Sequence, residues 1–221
     1  MKDLLVDIEP ERYETFAVEA TSPWNIYLKQ RILEEVPGIT SDKKTLLDVG
    51  MGTGHMLFDL LNNEELRKFH FHGVDVDPRM VEFCQKKISA WKNDTKITVL
   101  EGNVSALPYG NRSFSLIYAR SVIHHWAEPE KGLQELCRVL DKGGIVIIHE
   151  PLADAEKAAL QTFNSARLKY GIGEMTTDEK YTLSQINQLM KACESEEIDY
   201  LVLPGSGIAA LGCEILIRRR N

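Results

Sequence analysis

Apolar, β-rich runs alternating with segments of helical periodicity, a glycine-rich turn after the first run, and a closing pair of apolar runs around a glycine turn together predict the fold class. It is α/β: a Rossmann-like, seven-stranded, mostly parallel sheet with helices on both faces and an antiparallel last strand. A helical lid is expected from the N-terminus and from an insertion over residues 151–181.

The elements follow in order. Ser22-Pro23 reads as the cap and first position of a helix bearing Trp24, Tyr27, Leu28, Ile32 and Leu33. Strand signals follow at TLLDV (45–49), FHGVDV (71–76), KITVL (96–100), FSLIYA (114–119) and GIVIIHE (144–150). Asp77 caps a helix with Pro78 in its first turn, and Val81, Cys84, Ile88 and Trp91 mark its apolar face. Leu133, Leu136, Cys137 and Leu140 do the same for a helix over 129–140, which Gly143-Gly144 is expected to stop. Residues 155–170 read as helical and GIGEMTTDEK after them as a loop. YLVLPGSGIAALGCEILIRR reads as two antiparallel strands joined by the turn PGSG. Without repeat, linker or low-complexity tract, residues 1–221 are expected to form a single domain. Its parts are a helical cap (1–43), a ligand-binding core (44–150), the lid insertion (151–181), and a last helix with the C-terminal hairpin (182–221).

Composition narrows the function. The 221 residues suffice for one α/β domain with a full core, and no apolar run is long enough to span a bilayer. MKDLLVDIEPERYE turns acidic too early for a signal peptide, and the four cysteines form no CxxC pair, so buried, reduced thiols and a cytoplasmic location are expected. A net charge of -7 argues against broad contact with a nucleic-acid backbone. The one basic cluster, Arg218-Arg219-Arg220, reads as a solvated strand end. Oligomeric state is not legible.

LLDVGMGTGHMLFDLL carries the strongest functional signal. A strand that runs through Asp48 into Gly50, Gly52 and Gly54 and then a helix presents backbone N–H groups to the crevice at the strands' carboxyl ends. Asp75 closes the second strand, 25 positions after Gly50, where an acid accepts both hydroxyls of a ribose. The spacing GxGxG, with His55 next, departs from the GxGxxG of dinucleotide binding.

Four segments in order resemble the class I S-adenosylmethionine-dependent methyltransferases, in their small-molecule, type 11 or UbiE-like branch: LLDVGMGTG, GVDVDPRMVEFCQKK, EGNVSALPYGNRSFSLIYARSVIHHW and EPEKGLQELCRVLDKGGIVIIHE. The resemblance covers about residues 44–150 and implies methyl transfer from S-adenosyl-L-methionine to an O, N, S or C nucleophile of a small molecule, with S-adenosyl-L-homocysteine as product. It implies that the loop from Asp48 through Gly50, Met51, Gly52 and Gly54 to His55 holds the methionyl part. Asp75 would hold the ribose, and Val76, Met80, Asn103 and Val104 the adenine. Asn103 stands where the family usually has Asp; its amide oxygen can still accept a bond from the adenine amino group. Arg120 is a further candidate on the cofactor side, or a clamp for an acidic acceptor.

Methyl transfer needs chiefly alignment, to which a general base adds where the acceptor must lose a proton. His125, His149 and Glu150, at the ends of the fourth and fifth strands, are the candidate bases, with His124 beside them. No metal is expected: His124 and His125, read as strand neighbours, point apart, and His70-x-His72 has no third ligand. Tyr13, Phe16, Trp24 and Tyr27 have the spacing of core packing, or with Phe163, Arg167 and Tyr170 would shape an acceptor pocket. Two readings stay open beside methyl transfer: an NAD(P)-dependent oxidoreductase and a catalytically silent, cofactor-binding partner protein.

Overall fold

The computed structural model describes residues 8–91 and 96–221. Strands β1 (Thr45–Val49), β2 (His70–Asp75), β3 (Ile97–Glu101), β4 (Phe114–Arg120) and β5 (Leu140–Pro151) run parallel, and β7 (Gly212–Arg219) runs antiparallel between β5 and β6 (Ile198–Pro204). The sheet order is β3-β2-β1-β4-β5-β7-β6. Its direction of winding reverses at β1, which pairs with both β2 and β4, so a crevice opens at the carboxyl ends of these strands.

Adjacent residues on each central strand serve opposite faces, as the pleat requires. Leu46 and Leu116 pack with Leu28 and Ile32 of α2 (Ser22–Glu35), Leu57 of α3 (His55–Leu61), and Val81 and Cys84 of α4 (Pro78–Ala90). Leu47 and Ile117 pack with Leu133 and Leu136 of α5 (Pro129–Val139) and Ile186 of α7 (Leu183–Leu189). The expected cap of α4 is present: Asp77 Oδ1 accepts from Arg79 N at 2.9 Å. A third, smaller cluster joins Phe16 and Ala20, in the wide π turn that continues α1 (Pro10–Thr15), to Phe163 of α6 (Lys157–Lys169), Met175 and Leu211. Residues 1–7 of the expected cap lie outside the described residues.

Three local expectations are corrected. The cap residue of α2 is Thr21, one position earlier than expected. Helix α5 ends at Val139, and Gly143, with φ +68°, lies inside β5 instead of stopping the helix. A Cβ at Gly143 would come within 2.2 Å of Thr40 Oγ1 and 2.9 Å of the Ser41 nitrogen, so the glycine serves close packing against the β1 approach. The connection from β6 to β7 spans residues 205–211 and contains the helical turn Gly207–Ala209, longer than a tight PGSG hairpin. The basic cluster does lie at a solvated strand end, with Arg218 and Arg220 exposed, and Arg218, Arg219 and Arg220 pair there with Glu35, Glu197 and Asp199 respectively.

Candidate functional site

The glycine loop leaves β1 beside β2, its chain direction set by two backbone bonds to Val74 O, from Gly50 N at 2.8 Å and Met51 N at 3.2 Å. Gly50 and Gly52 have φ of +72° and +54°, a region that side chains resist. Both are also crowded: a Cβ at Gly50 would meet Val122 Cγ1 at 2.5 Å, and one at Gly52 would meet Tyr13 Cε1 at 2.8 Å. Asp75 faces this loop, accepting from Gly52 N at 2.7 Å through Oδ2 and from Asp77 N at 2.9 Å through Oδ1. Burial raises the Asp75 carboxyl above its usual range, against the bonds from Asp77 and Gly52 that lower it. Asp48 is buried beneath the loop, accepts from Tyr118 Oη at 2.7 Å, and is pushed up to about 7 by burial.

A cavity of about 310 Å³ opens here. Gly50, Gly52, Asp75, Val76, Met80, Val104, Arg120 and His125 line it, and Tyr13, Phe16, Phe163 and Met175 form its cover. A pocket of about 30 Å³ behind the loop is lined by Asn25, Asp48, Met51, Thr53, His55 and Arg120. Met51 contributes mainly backbone, since its side chain is buried and its sulfur lies 2.3 Å from where a Cβ on Gly73 would fall. Gly54 serves packing: a Cβ there would lie 2.4 Å from Cys84 Sγ of α4. Burial lowers the His55 imidazole. Asn103 caps the turn Val104–Ala106, its Oδ1 accepting from Ser105 N at 2.8 Å.

The end of β4 departs from expectation. Ser121 has φ +58° and donates its N–H to His149 O at 2.7 Å, which turns the chain out of the strand. His124 and His125 then fall on the helical turn Ile123–His125, and their rings lie 4.0 Å apart, tilted by 45°, instead of pointing apart. Glu150 holds this turn. It is buried and accepts from Val122 N at 3.0 Å, Ile123 N at 3.1 Å and His124 N at 3.3 Å, and pairs with His124 Nδ1. With both oxygens so engaged, Glu150 positions its neighbours. His125 is lowered to about 3 by burial, with His124 and Lys180 adding to the effect, so its ring is neutral and weakly basic.

His149 lies elsewhere, on the wall of a second cavity of about 280 Å³. This chamber adjoins the first, sharing Arg120, Ser121, Phe163 and Met175. Trp24, Tyr27 and Leu211 make much of its wall apolar, and His149 Nε2 lies 2.9 Å from Glu214 Oε2. Arg120 sits between the chambers with Thr21 Oγ1 at 3.3 Å as its hydrogen-bond partner among the described residues. Sequence reasoning missed Glu214 and Ser121; a lone acid within the apolar run GCEILI was the available signal for the first, and no side-chain pattern marks the second. Among the described residues, no three His, Cys, Asp or Glu side chains are grouped to hold a metal ion, and no helix is long and apolar enough to cross a membrane.

The sheet order, the reversed β7 and the glycine loop facing an acid at the end of β2 define a class I, Rossmann-like methyltransferase fold. The plantazolicin methyltransferase BpumL, solved with S-adenosylhomocysteine, shares this fold at a TM-score of 0.74 and 12% identity, over 96% of this chain and 90% of that one. Residues 47–148 match the family model described as Methyltransferase domain. The chain is 32% identical to a tRNA U34 carboxymethyltransferase of Campylobacter fetus over 66% of this chain and 50% of the relative. It is 30% identical to a malonyl-[acyl-carrier protein] O-methyltransferase of Halorhodospira halophila, over 64% of this chain and 44% of the relative. The chain thus spans half or less of the length of these curated relatives.

Proposed function

We propose that the chain is a cytoplasmic enzyme that transfers a methyl group from S-adenosyl-L-methionine to a small molecule. The observation that carries this reading is the adjacency of the two cavities: a crevice lined by the glycine loop and Asp75 opens beside a second, largely apolar chamber with Arg120 between them. When bound, the donor supplies an electrophilic methyl on a sulfonium.

The residues present fit that donor. Asp75 oxygens each hold one backbone N–H and keep capacity for a ribose hydroxyl. Asn25 Oδ1 and Thr53 Oγ1 are buried beside the glycine loop without a hydrogen-bond partner among the described residues, and Asp48 lines the same pocket. Three oxygen acceptors there suit the methionyl ammonium, and the loop from Gly50 to His55 suits its carboxylate. Val76, Met80 and Val104 would flank the adenine, with Asn103 Oδ1 accepting from its amino group. Alignment of an acceptor in the second chamber then supplies much of the rate, on the order of 7–11 kcal/mol in favourable cases. Tyr13, Phe16, Phe163 and Met175 would exclude water as a lid.

Titration calorimetry with S-adenosylhomocysteine and with NAD tests the donor. Saturable uptake of the first alone is expected; uptake of NAD alone, or of neither, would overturn the reading.

A further inference from the structure

A polar row crosses the carboxyl end of the sheet. Arg120 of β4 is the register partner of His149 of β5, and His149 is that of Glu214 of β7. Cross-strand partners share a face, so the three side chains stand side by side on the floor of the second cavity. Glu214 receives His149 Nε2 at 2.9 Å and Arg31 Nε of α2 at 3.0 Å. Burial raises the Glu214 carboxyl, but the bonds from His149 and Arg31 outweigh it and hold the group below its usual range. An ionised carboxylate only accepts, so a neutral His149 must carry its proton on Nε2. Nδ1, which has no hydrogen-bond partner among the described residues, is then the basic atom. The groups around this ring are Glu214 of β7, Arg120 of β4 and Tyr27 of α2, whose tilted ring lies 5.3 Å away, with Arg31 of α2 on the same Glu214 carboxylate.

The chamber also describes what it receives. Trp24, Tyr27, Phe163 and Met175 offer flat, polarisable walls. About 280 Å³ exceeds the roughly 150 Å³ of an apolar cavity that accepts benzene, so one substituted ring or two small ones fit. A neutral amine would need no base before attack. An aliphatic hydroxyl is far too weak an acid for imidazole, whereas a phenol lies only about three to four pKa units above it. Arg120 beside the row suits the phenolate charge as it develops.

Resting on the methyltransferase reading above, we infer that His149 is the general base toward the acceptor, that Glu214 fixes its tautomer, and that the acceptor is a small aromatic molecule bearing a phenol-type hydroxyl. The phenol proton passes to Nδ1, and the freed oxygen pair takes the methyl carbon from the sulfonium, whose bonding pair stays on sulfur. The imidazolium, stabilised by Glu214, then returns its proton to solvent.

The probe is 4-nitrophenol, whose ionised form absorbs visible light, titrated into the protein with and without S-adenosylhomocysteine. The bound probe is expected to ionise at least about one pH unit below the free compound. His149→Gln is expected to abolish that shift while leaving S-adenosylhomocysteine affinity within about twofold. Nitrogen-15 spectra of the unsubstituted protein should show His149 with its proton on Nε2, and Glu214→Gln should give a mixture of tautomers. A probe bound as neutral phenol, no saturable probe binding, an unchanged shift in His149→Gln, or the Nδ1–H tautomer in the unsubstituted protein would each overturn the inference. Should His149→Gln fail to fold, the tautomer of the unsubstituted protein decides. Absent S-adenosylhomocysteine uptake overturns the donor reading instead, and the donor-free titration still reports on the row.

Discussion

Asp48 offers a test that needs no acceptor. Its carboxyl is 4% exposed and pushed up to about 7, by burial first and by Asp75 next, while Tyr118 and Arg120 pull it down. In an unfolded chain the group titrates near 3.9. The native state therefore keeps a proton that the unfolded state gives up between these values, and stability falls as pH rises through that window. Three units correspond to about 4 kcal/mol, reached above pH 7, with about 1.5 kcal/mol already present at pH 5. Asp48→Asn removes the ionisation and keeps an oxygen that accepts from Tyr118 Oη. Urea unfolding of both proteins at pH 5 and pH 8 should show the variant gaining about 2.5 kcal/mol relative to the parent between the two conditions. Groups that titrate alike in both proteins cancel. A gap independent of pH, or a variant that loses ground at pH 8, would refute the account of Asp48 as a carboxyl held by desolvation. If the methionyl ammonium lies beside Asp48, S-adenosylhomocysteine uptake near pH 7 should also release a proton, read from calorimetry in buffers of different ionisation enthalpy.

Three further substitutions separate the parts of the site. Gly52→Ala places a side chain at φ +54° and 2.8 Å from Tyr13 Cε1, so S-adenosylhomocysteine affinity should fall at least about tenfold while stability drops by only about 1–2 kcal/mol. Trp24→Ala removes an edge-to-face partner of Phe163, 5.0 Å away, and should weaken 4-nitrophenol binding about fivefold with S-adenosylhomocysteine affinity within about twofold; equal losses would refute a separate acceptor chamber. Glu150→Gln turns an amide toward the N–H groups of Val122, Ile123 and His124 and should cost about 3 kcal/mol, a fall in Tm of roughly 6–12 °C by calorimetry.

The centre of the sheet was legible because β1, β4 and β5 are buried on both faces, and burial on both faces writes near-continuous apolar runs into the sequence. The glycine loop was legible for a different reason: positive φ and close approach exclude nearly every other residue, so its chemistry shows in the letters themselves. The base candidates were not, because their roles depend on contacts between residues far apart in the chain. Glu150 and His149 are neighbours in sequence, yet the pleat sends them to opposite faces. One is consumed by the turn Ile123–His125, and the other meets Glu214 across a strand pair 65 positions away. His125 is a base candidate from its place at the end of the fourth strand, but its burial against His124 and Lys180 depends on a turn initiated at Ser121, where no sequence pattern foretells a φ of +58°. Strand register therefore decides which polar residue faces which cavity. A one-residue slip of β7 against β5 would put Cys213 where Glu214 stands and remove the carboxylate from His149, so the function assigned to this row is as specific as the register that builds it.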